Sequence, residues 1–208
     1  MERSARVVVL NGTDGRRKAS RDPRSPKSSA ARIPAALVLA WFLLAAGMPA
    51  APVYESREQA LARAFPPPAT TERRTLFLTP EQRTRAAREA RAKVDSALVV
   101  AYLGKGAAGF LGTGYFDTHS VRTASETLLV VVLPDGSAGT VEVVAFGEPE
   151  DYLPRPAWLR LFSGKPLDGE LTVGRGLAHV SGATLTTRAI AAAVRRILSI
   201  HRVLGVAP

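Results

Sequence analysis

ETLLVVVLPDGSAGTVEVVAF, residues Glu126 to Phe146, sets two apolar, β-branched runs on either side of PDGS at 134–137. Such runs flanking a Pro-Asp-Gly turn form a hairpin. Upstream, SALVVAYL (96–103) and GFLGTGYF (109–116) have the same composition, so the centre of the chain reads as an antiparallel sheet. Helical patterns flank it. One covers Glu55 to Phe65 and stops at Pro66, Pro67 and Pro68, because proline lacks the donor a helix interior needs. TLFL (75–78) is a brief strand, and Thr79 followed by Pro80 and Gln82 forms a capping box that starts a helix over Pro80 to Val94. Beyond Phe146 come a proline-punctuated loop, GEPEDYLPR, a short helix around Pro156 to Phe162 and a passage containing Gly174 and Gly176. The final helix runs from about Thr186 to Leu204. Its Ile190, Val194, Ile197 and His201 recur at helical spacing to face the sheet, while Arg188, Arg195 and Arg196 lie off that stripe. The expected fold is α+β: an antiparallel β-sheet packed by helices, in one domain.

The formal charge of +10 is unevenly distributed: residues 1–32 carry nine Lys or Arg against three acids, and the remainder 19 against 15. Residues 33–53, IPAALVLAWFLLAAGMPAAPV, hold no charge, and their strongly apolar part, Ala35 to Gly47, has the length of a signal-peptide core. A basic flank before an apolar segment keeps the N-terminus in the cytoplasm and sends the rest across the membrane. The organisation expected is a basic cytoplasmic leader (1–32), a signal peptide or membrane anchor (33–53), a helical N-terminal part of the exported region (54–94) and a C-terminal domain (95–208). Membrane topology therefore accounts for the basicity, and an aromatic share of 6% argues against a stacking platform for nucleic acid.

The chain has no cysteine, which excludes disulfides, thiolate metal sites and a cysteine nucleophile. His119, His179 and His201 are too scattered to chelate zinc and read as loop or surface residues. HVSGATLTTRAIAAAVRRIL (179–198) crowds Ser181, Thr184, Thr186 and Thr187 around Gly182 and Ala183, just ahead of the final helix. A helix start offers free backbone N–H groups and the positive end of the helix dipole, which suits a phosphate; the same hydroxyls are also ordinary helix caps. Ser181 or Thr184 as a hydrolase nucleophile would need a base in reach, and no G-x-S-x-G elbow surrounds them.

SGATLT followed by an amphipathic helix, in an exported domain behind one membrane segment, resembles the FMN-binding domain family. That family includes the periplasmic flavin subunits of sodium-pumping NADH:quinone reductase and of Rnf electron-transport complexes. The resemblance spans roughly Asp95 to Leu204 and extends to GYFDTHSVRTASETLLVVVL, which looks like a stand-alone branch of the family. It implies an FMN carrier in electron transport, with no catalytic residue and no metal. It also implies a phosphodiester from FMN to Thr184, with Ser181, Gly182, Ala183 and Thr186 shaping the attachment loop. GEPEDYLP is similar to the loop bordering the flavin ring, making Glu148, Pro149 and Leu153 candidate contacts, with Arg175 or Tyr152 as further donors beside the ring. The implied partners are a membrane redox complex and the flavin transferase that loads the site. The implied location is the inner membrane facing the periplasm, or the periplasm itself if the segment is cleaved. One departure from the pattern is Ala178, where the family carries an aspartate three residues before the serine; it leaves noncovalent flavin, or a flavin-free accessory domain, as the alternative.

Overall fold

The run LLVVV is continuous rather than alternating because its strand is buried on both faces. In a computed structural model, which describes residues 54–206, Leu128, Val130 and Val132 face one core, while Leu129 and Val131 face another. The elements in chain order are α1 (Arg57–Ala64), β1 (Thr70–Phe77), α2 (Pro80–Ala90), β2 (Leu98–Gly106), β3 (Gly109–Val121), β4 (Ala124–Val132), β5 (Ala138–Phe146), a 3-10 turn (Glu150–Tyr152), α3 (Pro156–Leu159), a second 3-10 turn (Arg160–Phe162) and α4 (Thr184–Leu204). The five strands form one antiparallel sheet in sequence order, so the β4–β5 hairpin over the 134–137 turn is as the sequence indicates. The leader and apolar segment lie outside the described residues. Among the described residues no helix is long and apolar enough to cross a membrane.

The larger core lies between the sheet and α4, where Ile190, Val194 and Ile197 meet Leu103, Tyr115 and Val130. α2 packs against α4: its Ala86 carbonyl accepts the buried Ser199 hydroxyl at 3.0 Å. The smaller core sits under α1, whose Phe65 ring lies flat against Gly104; a Cβ there would fall 2.3 Å from the ring. Residues 54–94 thus supply a strand and two helices to the same sheet.

Boundaries differ from the sequence expectations in instructive ways. The Thr79–Gln82 capping box and Pro80 at the first turn are present, but the helix ends at Ala90, where Arg91 turns left-handed, rather than at Val94. β1 begins five residues before TLFL, because TTERR pairs with β2 through its backbone while its side chains stay largely exposed. α4 starts at Thr184, inside the hydroxyl cluster. Arg195 and Arg196, off the apolar stripe, are half-buried: Arg195 donates to the Ala90 and Leu171 carbonyls, and Arg196 is paired with Asp117.

Candidate functional site

Helix α4 begins without a side-chain cap. Ala183 occupies the capping position, and the first bond of the helix runs from the Thr187 N–H to the Ala183 carbonyl at 2.9 Å. The N–H groups of Thr184, Leu185 and Thr186 meet no acceptor among the described residues, as expected for an open helix start. The hydroxyls divide into two groups. Thr187 is buried and donates to the Ala183 and Thr184 carbonyls at 3.0 and 3.1 Å, and Thr186 is buried beside it. Ser181 and Gly182 are exposed and Thr184 is half-buried, so Ser181 and Thr184 are the two that solvent reaches. Gly182 has φ of +82°, which favours glycine, and the space above it is open.

Two contacts fix the direction of α4 over the sheet. The Tyr115 hydroxyl lies 2.8 Å from His201 Nδ1, and Arg196 holds Asp117 through both carboxylate oxygens at 2.8 and 2.6 Å. The loop after β5 is tied to the β3–β4 turn by Glu148, whose Oε1 accepts from the Thr123 N–H (2.9 Å), the Ala124 N–H (3.0 Å) and the Thr123 hydroxyl (3.3 Å). These bonds, that of the Thr123 N–H foremost, hold the Glu148 carboxyl below its ordinary pKa. Glu148, expected beside a ring, is engaged in holding the turn; Pro149 is exposed, and Leu153 is half-buried. Arg175 is exposed on the glycine-rich passage, and Tyr152 lies under the guanidinium of Arg122, 4.4 Å from its ring centroid.

Leu153 lines a groove of about 700 Å³ along the outer edge of β5, with Tyr54, Val141, Val143, Leu159 and Arg160 among its walls. The edge is closed at both ends. The Tyr54 N–H bonds to the Val144 carbonyl at 3.0 Å, and Ala138 exchanges bonds with Lys165 and Gly164 at 2.9 and 2.7 Å. Between them the strand presents outward-facing backbone donors and acceptors to the groove. Thr184 does not line this groove. α3 links the two: Pro156 and Leu159 face the groove, while Trp158 Nε1 donates to the Ala178 carbonyl at 2.7 Å and pins the approach to the SGAT loop.

A second cavity, of about 460 Å³, opens where β2 and β3 part: their pairing ends at Ala101 and Tyr115, although β2 begins at Leu98 and β3 continues to Val121. A buried ionic layer borders it. His119 is not a surface residue, since its side chain is only 13% exposed; Nδ1 meets Asp117 at 2.9 Å and Nε2 meets Glu126 at 3.0 Å. Burial disfavours its charged form, but the bonds to the two carboxylates and their charges raise its pKa to about 9. Burial pushes Asp117 up, and the bonds from His119 and Arg196 outweigh it, leaving its pKa below the ordinary value. Glu126 is raised, chiefly by burial, and its Oε1 has no hydrogen-bond partner among the described residues. His201 is likewise half-buried; burial lowers its pKa, and its Nδ1 shares a hydrogen bond with the Tyr115 hydroxyl. The sequence offered one cue to this layer, because Asp117 and His119 sit two apart on a strand and so share a face. Among the described residues no cluster has the make-up of a metal site.

No family model, no curated protein and no solved structure matches the chain.

Proposed function

We propose that the protein is an extracytoplasmic FMN-carrying electron-transfer protein, with the flavin joined through its phosphoryl group to Thr184 Oγ1. The observation that carries this reading is the uncapped start of α4: three uncommitted N–H groups and the half-buried Thr184 hydroxyl lie beside the open space above Gly182. A phosphoryl group there meets backbone donors and the positive end of a 21-residue helix. α3 faces the groove with Pro156 and Leu159, and its Trp158 holds the Ala178 carbonyl on the segment that leads to Thr184. The apolar walls and the exposed backbone of β5 fit a planar ring with a hydrogen-bonding edge.

When bound, FMN supplies the redox chemistry. The chain's own residues do the holding: the helix start neutralises the phosphoryl charge, Trp158 fixes the attachment loop, and Leu153 and Leu159 keep water from one side of the groove. A membrane redox complex and a flavin transferase are the partners this role requires.

The full chain made in a host containing the transferase should carry an added flavin mass and keep its yellow colour after denaturation; Thr184→Val should lose both. Flavin that survives denaturation in that variant would defeat the attachment. A second reading is supported by Ala178, which stands where the attachment pattern has aspartate: a flavin-free accessory domain of an extracytoplasmic complex. Polypeptide of bare mass that also fails to bind added FMN would establish it.

A further inference from the structure

The two edges of the sheet are finished differently. Tyr54 closes one end of the β5 edge, and Gly164 with Lys165 closes the other. β1 has a partner on one side only, β2, which follows it along its full length. The Leu78 N–H continues that register, bonding to the Ala97 carbonyl at 2.8 Å. Backbone groups alternate along an antiparallel pair, so even-numbered residues turn theirs to β2, and Thr71, Arg73, Thr75 and Phe77 turn theirs outward. Among the described residues no backbone group bonds to that outer side. Edge strands are shielded by proline, by bulges, by covering loops or by charge. β1 has no proline, and its register with β2 is unbroken; Glu72, Arg73 and Arg74 are the shield it keeps.

Those charges select what the edge can accept. The outward-turned residues also share the face that α1 covers only in part: Arg73 lies opposite Tyr102 of the smaller core, and Phe77 lies opposite Leu98. Phe77 is 67% exposed and Leu98 50%, the two highest values for large apolar side chains among the described residues. A second copy meeting this edge about a two-fold axis runs antiparallel, with odd-numbered residues facing odd-numbered ones. An axis at Arg73 or at Arg74 sets that arginine against itself, which is unfavourable for like charges directly opposite. An axis at Thr75 sets threonine against threonine, Leu76 against the partner's Arg74, and Arg73 against the partner's Phe77. This is the longest overlap that opposes no two arginines. It lays a guanidinium over each exposed ring and its aliphatic stem over the Phe77–Leu98 patch.

We propose that β1 is a dimerisation edge, and that two copies pair through residues 73–77 about an axis at Thr75, joining their five-stranded sheets into one. The groove along β5 lies at the opposite edge and stays open in each copy. The pairing is independent of any bound flavin.

The chain has no cysteine, so one introduced thiol reports on one position. In the full chain held in detergent and oxidised with copper–phenanthroline, Thr75→Cys should run as a disulfide-linked dimer on a non-reducing gel. Facing residues of a bonded pair have Cα atoms about 5.5 Å apart, within disulfide reach. Thr71→Cys should stay unlinked, since its copies lie about 27 Å apart along the strands. Sedimentation equilibrium should show the parent as a dimer. Phe77→Thr, which removes both guanidinium–ring contacts from an exposed position, should raise its dissociation constant about tenfold. Thr75→Pro deletes an outward N–H without touching the β2 ladder, and should give a monomer whose circular dichroism matches the parent's. A monomeric parent, a Thr75→Cys chain that does not link, a Thr71→Cys chain that links as readily, or a dimer that Thr75→Pro leaves intact would each overturn the proposal.

Discussion

Two groups of polar residues, one along β3 and one at the start of α4, are built in opposite ways. In the layer formed by Asp117, His119, Glu126 and Arg196, charged groups are buried and largely answer one another: both oxygens of Asp117 and both ring nitrogens of His119 are engaged, and Glu126 Oε1 alone of the carboxylate oxygens is left over. At the start of α4, Ser181 is exposed and Thr184 half-buried, and the first N–H groups of the helix are left without protein acceptors among the described residues. The first group is denser in charge, but the second keeps its donors open to solvent. The difference teaches that donors left open to solvent after folding, rather than charge itself, mark the candidate site.

If the buried layer is a structural clamp, removing one member should be costly. Asp117→Leu removes the carboxylate partner of Arg196 and leaves His119⁺ with Glu126 alone, and loss of one partner from a buried pair costs about 3–5 kcal/mol. Urea unfolding followed by circular dichroism measures this; a loss under about 1 kcal/mol would show that the layer behaves as a surface cluster.

A smaller and graded effect should follow pH. The folded pKa of His119 is raised above its unfolded value, so its contribution is complete below about pH 6.5 and is lost as pH rises through about 9. The raised Glu126 acts in the same direction over a lower range, because the folded state holds its proton longer. Stability should therefore fall between pH 6.5 and 9.5, below the range in which the buried Tyr115, also raised, begins to contribute. The decline should flatten in His119→Gln; an equal slope in that variant would assign the effect to other groups.

The smallest effect is expected where the two regions are joined. Trp158→Phe removes the 2.7 Å bond to the Ala178 carbonyl and should cost about 1 kcal/mol. Amide exchange should quicken in residues 178–184 while α1 stays as protected as before. Uniform acceleration would mean that Trp158 supports the core, where it meets Phe162 edge-on, and not the SGAT loop.

Much of the sheet was legible in the sequence because its signals are local. A Pro-Asp-Gly turn, a strand buried on both faces and a capping box each declare themselves within a few residues. β1 was only half legible, since its first residues are polar or charged and largely exposed and carry no apolar pattern. The ionic layer was not legible, because Arg196 is far from Asp117 in sequence and the Glu126–His119 pairing depends on register. At the candidate site the hydroxyl cluster was visible, but its division was not: which of Thr184, Thr186 and Thr187 faces solvent depends on where the helix begins, two residues earlier than its pattern implied.

The meander order of the sheet carries a consequence for maturation. Every strand pairs with its neighbour in the chain, so the five can zip together from short-range contacts before the last helix is available. Thr184 reaches its place only when that helix docks. Under the attachment proposed above, a modifying enzyme that reads the docked helix start would thus act on finished molecules alone, and the attached group would serve as a certificate of completed folding.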